Sequence, residues 1–330
     1  MRRATTTMKV FSLLALCATA CMTREATAQQ GAGKYPEKSL RLILPFAPGG
    51  GTDLLARTLA QRLTETFGHS VVVDNRSGGG GTIGHEIAVR AAPDGYTLAL
   101  TSGSYATNAA LFKLPYDPIA DITAIALLGE TAWMLSVHPG VPAKSTGELI
   151  ALMKAKPNSL NFASTGTGGV THMVTELFNL MAGTRMTHVP YKGTGAALND
   201  LIGGQVQLIF GGMAPMIAMH RTGRLRAIAV TTAKRINAVP DIPTIGETVT
   251  DYEATLWYGC FGPRHLPRDV TARLNTEIDR AMSNPAMRER LASEGIDPVG
   301  GVPERLLTVI KRDLLKWRQV VRQARIQSVQ

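Results

Sequence analysis

The chain has 330 residues, 45% of them apolar and 18% charged, with a formal net charge of +10 at neutral pH. That length exceeds one ordinary core and points to two domains of roughly 100–200 residues each, while the apolar content excludes a disordered or low-complexity protein. The positive charge draws anions over a distance, but aromatics make up only 5% and the cations are scattered ahead of the C-terminus, which argues against a base-stacking nucleic-acid platform.

Residues 1–28 read as a signal peptide: Arg2, Arg3 and Lys9 precede an apolar run at 10–20, and Ala26-Thr27-Ala28 offers a small-x-small cleavage site before Gln29. The run is too short to span a bilayer, which needs about 20 apolar residues. A lipoprotein reading through Cys21 is the weaker alternative. Export to the periplasm is therefore expected. The leader carries four cations against Glu25, so a net +3 of the +10 leaves with it and the mature chain holds about +7. Cys260 is then the one remaining thiol, which excludes an intramolecular disulfide, and its setting in LWYGCFG reads as a buried small residue.

Downstream, strand-like and helix-like runs alternate. SLRLILPF, HSVVVDN, YTLALTS, ITAIALLG and WMLSVHP read as strands, with helical periodicity at 54–67, 84–92 and 146–156. Strands at 161–163, MTHVPY, QVQLIF and RAIAV follow, separated by helices at 172–181 and 196–202. Near the C-terminus Leu307, Ile310, Leu314, Trp317 and Val321 form an apolar stripe whose wet face carries Lys311, Arg312, Lys316, Arg318, Arg322 and Arg325. Apolar strands alternating with helices give an α/β class with parallel or mixed sheets flanked by helices. This many strands requires two sheets. Chain crossings are expected at 129–133 and 251–256, so that 29–131 and 254–330 form one lobe and 132–253 the other, with a hinge and a ligand-enclosing cleft between them.

Three strand-to-helix turns are built alike: PFAPGGGTD, NRSGGGG and ASTGTGGVTH. In the second, Gly79, Gly81 and Gly84 satisfy the dinucleotide pattern G-x-G-x-x-G, but the acid that should follow about 20 residues on is missing from TLALTSG. Phosphate-loop, zinc-helix and nucleophile-elbow motifs are absent as well. His172 and Glu176, four apart on one helix face, supply too few ligands for a metal. No cofactor and no metal are expected, and the remaining histidines read as structural. Glycine at a helix start lets an anion reach unpaired N–H groups at the positive end of the dipole. Two readings stand for each turn: anion binding, or plain capping by Asp53 and Thr171.

PFAPGGGTD with ARTLAQRL, VVVDNRSGGGGTIG, AAPDGYTL, NFASTGTGG, HVPYKGTGAALNDLIGGQVQLIF and PTIGE together resemble the Bug-type substrate-binding proteins of tripartite tricarboxylate transporters, in order and over nearly the whole mature chain. The resemblance implies a two-lobed, type II-like periplasmic binding protein without enzymatic activity, acting as a monomer on a small carboxylated solute, with a membrane permease or a sensor kinase as partner. It places ligand loops at Phe46, Ala47, Gly49, Gly50, Gly51, Thr52 and Asp53, at Thr101 and Ser102, at Ser164, Thr165, Gly166, Thr167 and Gly168, and at Tyr191, Lys192 and Gly193. His172, Gly212 and Met213 complete the candidate set. It also implies that the carboxylate is held mainly by first-lobe backbone amides and bridging waters. Lys192 reads either as the one cation near the ligand or as a solvated surface lysine. Where related sequences carry an acid after QVQLIF, this chain has Gly211-Gly212-Met213, which argues for a bulky, non-amino carboxylate. An exported enzyme using Asp53, His172 or Lys192 in acid–base roles is the reading from a different class, and a ligand-presenting sensor component is a further one.

Overall fold

The computed structural model describes residues 35–49, 51–191 and 193–326. The expected signal peptide, Gly50 and Lys192 lie outside the described residues.

Strands β1 (Leu40–Leu44), β2 (Val71–Asn75) and β3 (Thr97–Ser102) run parallel, with β1 in the middle. Each is followed by a helix: α1 (Gly51–Phe67), α2 (Thr82–Val89) and α3 (Ser104–Leu111). Leu42, Ile43 and Leu44 are buried with Leu55, Ala56 and Leu59 of α1, the packing that the apolar runs of the sequence dictate. Next comes β4 (Ile122–Thr131), and after the single residue Ala132 the chain enters β5 (Trp133–Val137) in a second sheet.

That second sheet holds β6 (Asn161–Ser164), β7 (Thr187–Pro190), β8 (Leu208–Gly212) and β9 (Arg226–Val230), in the order β7-β6-β8-β5-β9. Helices α4 (Thr146–Ala155), α5 (Val170–Ala182), α6 (Thr194–Ile202) and α7 (Met213–Arg221) connect its strands. The chain then returns through β10 (Leu256–Pro263), which inserts between β3 and β4. Helices α8 (Arg268–Ser283) and α9 (Pro285–Ser293), the short β11 (Asp297–Pro298) and α10 (Glu304–Ala324) complete it. The first sheet has the order β11-β4-β10-β3-β1-β2. The molecule is thus a two-lobed α/β protein.

Both sheets are mixed, in keeping with the parallel or mixed sheets expected. β10 is antiparallel to β3 and β4, and β5 is antiparallel to β8 and β9. The reason is connectivity: β5 and β10 arrive from the other sheet, not through a helical crossover, so nothing forces them into the common direction. β10 went unread as a strand, because LWYGCFG carries two glycines and no period-two alternation, and it is buried along its whole length. Cys260 on it is 1% exposed, and burial pushes its thiol up to about 12.

The C-terminal helix α10 joins the lobes. Its buried stripe is Leu306, Val309, Ile310, Leu314, Trp317 and Val320, and it packs on β4 and α3 from the first sheet's side and on α5 from the second's. The stripe is interrupted by Asp313, 1% exposed, which accepts a hydrogen bond from Trp257 Nε1 (2.9 Å) and faces Arg312 and Lys316. Tyr252, on the returning segment, donates to the Val174 carbonyl of α5 at 3.1 Å. Both contacts tie the second crossing to the body of the protein.

Candidate ligand-binding site

Because β1, β2 and β3 are parallel, the turns after them share one edge of the first sheet, and the turns after β6 and β7 share one edge of the second. In open α/β sheets that carboxyl edge is where ligands sit. A cavity of about 630 Å³ lies there. From the first lobe it is lined by Pro45, Phe46, Ala47, Thr52 and Asp53, by Ser77, Gly78, Gly80 and Gly81, and by Ser102, Ser104, Thr107, Asn108 and Phe112. The second lobe contributes the turn from Thr165 to Thr171 and Thr194, and the two crossings contribute Trp133 and Leu256.

Local chemistry fixes the first-lobe turns. Asp53, in the first turn of α1, accepts from the Gly49 amide (3.1 Å), Arg57 Nε (2.9 Å) and Asn75 Nδ2 (3.1 Å), and Asn75 also donates to the Phe46 carbonyl (3.0 Å). Burial alone would raise the Asp53 carboxyl, but these bonds outweigh it and hold it below the ordinary carboxylate value. Its oxygens are spent on ordering the turn. In the second turn Gly78, Gly79, Gly80 and Gly81 all have positive φ, which a four-glycine run supplies without strain. Asn108 of α3 donates to the Gly80 carbonyl at 2.8 Å and pins that run to the neighbouring helix. Gly84 lies against Pro45, so that a Cβ there would meet Pro45 Cα and the Arg76 carbonyl oxygen at 2.8 Å. The dinucleotide-like spacing is therefore explained by close helix–strand approach, without a nucleotide.

In the second lobe, Thr171 Oγ1 accepts from the Thr165 amide (2.9 Å) and meets Thr165 Oγ1 at 3.1 Å, closing the turn on itself. Gly168, with φ +76°, lies against the first lobe: a Cβ there would overlap Leu111 Cδ2. This turn therefore touches α3 across the cavity.

The helix starts around the cavity share a chemical feature. α2, α3, α5 and α6 begin at Gly81, Gly103, Gly169 and Gly193, and none has a side-chain cap hydrogen bond. Away from the cavity, α4 and α9 are capped by Ser145 and Asn284, whereas α7, α8 and α10 also lack a side-chain cap, so what sets the four cavity helices apart is their convergence on one space. Helix N-termini without side-chain acceptors leave N–H donors for another oxygen. Among the described lining residues there is no Lys, Arg or His, and Asp53 is the one acid. Among the described residues, positive potential at this site comes from helix dipoles and hydroxyl donors, while Phe46, Phe112, Trp133, Val170 and Leu256 supply apolar surface.

Of the residues singled out in the sequence, Phe46, Ala47, Thr52, Asp53, Ser102, Thr165, Gly166, Thr167 and Gly168 come together on this wall. Others lie off it. Gly49 is turned to Asp53, and Gly51 sits beside the Tyr258 hydroxyl. Thr101 is buried, with its Oγ1 2.6 Å from His85 Nε2, and burial lowers the His85 pKa to about 3. Ser164 and His172 are buried behind the second-lobe turn. Tyr191 donates its hydroxyl to Asp200 at 2.7 Å, and Gly193 is the uncapped start of α6. Gly212 pairs with Trp133 in the ladder. Met213 is buried in the second-lobe core, with Gly295 of the first lobe packed against it. Gly50 and Lys192 lie outside the described residues. Lining residues outside the expected ligand set include Ser104, Asn108, Phe112, Trp133, Thr194 and Leu256. Ser77, Gly78, Gly80 and Gly81 of the NRSGGGG turn also line the cavity, beyond the expected ligand set.

Two α/β lobes with converging, uncapped helix starts at the carboxyl edges of their sheets define a two-lobed solute-binding protein. The chain belongs to the tripartite tricarboxylate transporter receptor family, TctC, whose family model matches residues 55–326. It is 34% identical over 320 residues to protein BugT of Bordetella pertussis, covering 96% of this chain and 98% of that one. Among solved structures, an R. palustris protein with adipate has 33% identity and a TM-score of 0.81, covering 89% of this chain and 100% of that one. MatC of Rhodopseudomonas palustris with bound malate has 31% identity and a TM-score of 0.76, covering 87% and 100%. Among the described residues no helix is long and apolar enough to cross a membrane, and no group of three or more His, Cys, Asp or Glu could hold a metal.

Proposed function

We propose that this chain is exported to the periplasm, captures a small non-amino carboxylate in the cavity between its lobes, and delivers it to a membrane permease of the tripartite tricarboxylate type. The observation that carries this reading is the convergence of four glycine-started helices, all without side-chain caps, on a cavity with no described cationic side chain. A carboxylate oxygen would complete those donors. Hydrogen bonds to a charged group contribute roughly 1.5–3 kcal/mol each, so three or four donors plus apolar burial suffice for the about 8 kcal/mol of micromolar binding.

The apolar lining supports a ligand with a carbon skeleton of some bulk, and the adipate and malate held by the two relatives fit that class. The single acid on the wall, Asp53, is committed to Gly49, Arg57 and Asn75. It is not free to pair with an ammonium group. We assign residues 29–131 and 254–330 to one lobe and 132–253 to the other, which places both crossings, and with them Trp133 and Leu256, at the hinge side of the ligand.

Native mass spectrometry of freshly purified protein tests the reading. A small organic acid retained at one per chain is expected, released on denaturation and chemically unchanged after incubation. Protein that arrives empty and takes up no carboxylate, or that converts the acid, would overturn it.

A further inference from the structure

Behind the second-lobe turn two imidazoles lie face to face. His172 of α5 and His188 of β7 have ring centroids 3.9 Å apart and planes within 6°, and Phe162 of β6 stacks on His188 at 4.8 Å. Both rings bond to the turn. His172 Nδ1 accepts from the Gly168 amide at 3.0 Å, and His188 Nε2 lies 2.6 Å from Ser164 Oγ. The Ser164 hydroxyl in turn meets the Gly166 amide and carbonyl at 3.2 and 3.1 Å. One ring thus holds each end of the segment 164–168, whose other side is cavity wall.

Only a neutral His172 can do this. The Gly168 N–H needs a lone pair on His172 Nδ1, so that ring must carry its proton on Nε2, the atom 3.8 Å from Glu176 Oε1. A proton on Nδ1 would set two N–H groups against each other, and two imidazolium rings at stacking distance would repel. Glu176 is the acid facing the pair from α5; β6 and β7 bring no charged side chain besides His188. Burial, with the neighbouring His188, lowers His172 to about 4, and burial lowers His188 to about 4, in keeping with that geometry.

We propose that His172 and His188 are positioning residues, a stacked neutral pair that sets the second-lobe turn 164–168 in its ligand-ready shape before any ligand arrives. The role in binding rests on reading the cavity as the ligand site; the role in shaping the turn does not. It moves His172 from the ligand's contacts to the layer behind them.

Two variants separate the ring from its hydrogen bond. His172→Phe keeps the stack and loses the acceptor, whereas His172→Asn places an amide oxygen near the Nδ1 position and loses the ring. In ligand-free protein, amide exchange at Gly168 is expected to quicken about tenfold or more in H172F and to stay within about threefold of wild type in H172N. Nitrogen-15 shifts of wild-type His172 at pH 7 should report the Nε2–H tautomer. Equal exchange in all three proteins, or an Nδ1–H or imidazolium ring, overturns the proposal even should a variant fold poorly. Adipate titration tests the underlying reading separately: wild type that ignores this probe and every other carboxylate discards the site, and leaves the exchange result standing.

Discussion

Gly168→Ala probes the contact between the lobes. Its backbone, at φ +76°, costs an alanine roughly 1–2 kcal/mol whether or not ligand is bound. The added methyl also overlaps Leu111 Cδ2 of α3, and that contact exists only while the second-lobe turn lies against the first lobe. Relieving it by a strained Leu111 rotamer or a slight opening costs about 1–2 kcal/mol more. At 1.4 kcal/mol per tenfold, affinity should fall roughly five- to thirty-fold. Calorimetric titration with the acid found by native mass spectrometry measures that loss, and urea unfolding of ligand-free protein measures the accompanying change in stability. Adding Leu111→Ala to the variant should restore most of the affinity, a coupling that a double-mutant cycle isolates. Affinity unchanged within about twofold in G168A, or no rescue by the second substitution, would refute the cross-cavity contact.

Further expectations concern stability. A histidine whose pKa falls on folding binds fewer protons in the native state between pH 4 and 6.5, so stability should decline as pH drops through that window and level off below it. With His172 and His188 each near 4, the combined loss is about 3–5 kcal/mol after allowing for the partial exposure of His188. Glu176, raised by burial, acts in the opposite sense. Unfolding free energies measured by urea from pH 7.5 to 4 decide; a flat profile contradicts the neutral pair. Asp313→Ala should cost about 3 kcal/mol in the same assay, because it strands the buried Trp257 N–H and leaves Lys316 without its carboxylate. A loss below about 1 kcal/mol would show that this cluster does not anchor α10.

The strands and the helices after them were legible because each is a continuous apolar run or a clear 3.6-residue period. So were three glycine turns, since glycine between strand and helix is a local signal. The walls contributed by distant segments were not. Trp133 and Leu256 belong to crossing strands, and Asn108 and Phe112 to and beside a helix, SYATNAAL, with little periodicity. What brings them to the cavity is the packing of two sheets, which no single window records. His172 and Tyr191 looked exposed to ligand because they flank the right turns, but one accepts from Gly168 and the other donates to Asp200. Gly212 pairs with Trp133 in the ladder, and Met213, opening α7, is buried in the second-lobe core, so neither lines the cavity.

On the proposed reading, donors from helix starts, with no cationic side chain among the described lining residues, hold a non-amino carboxylate between the lobes. Calorimetry on ligand-stripped protein with adipate, malate, aspartate and glutamate tests it most directly. One-to-one binding of adipate or malate at micromolar affinity, with no heat from either amino acid, is the expected result. Tight binding of aspartate or glutamate with none of adipate or malate would contradict it.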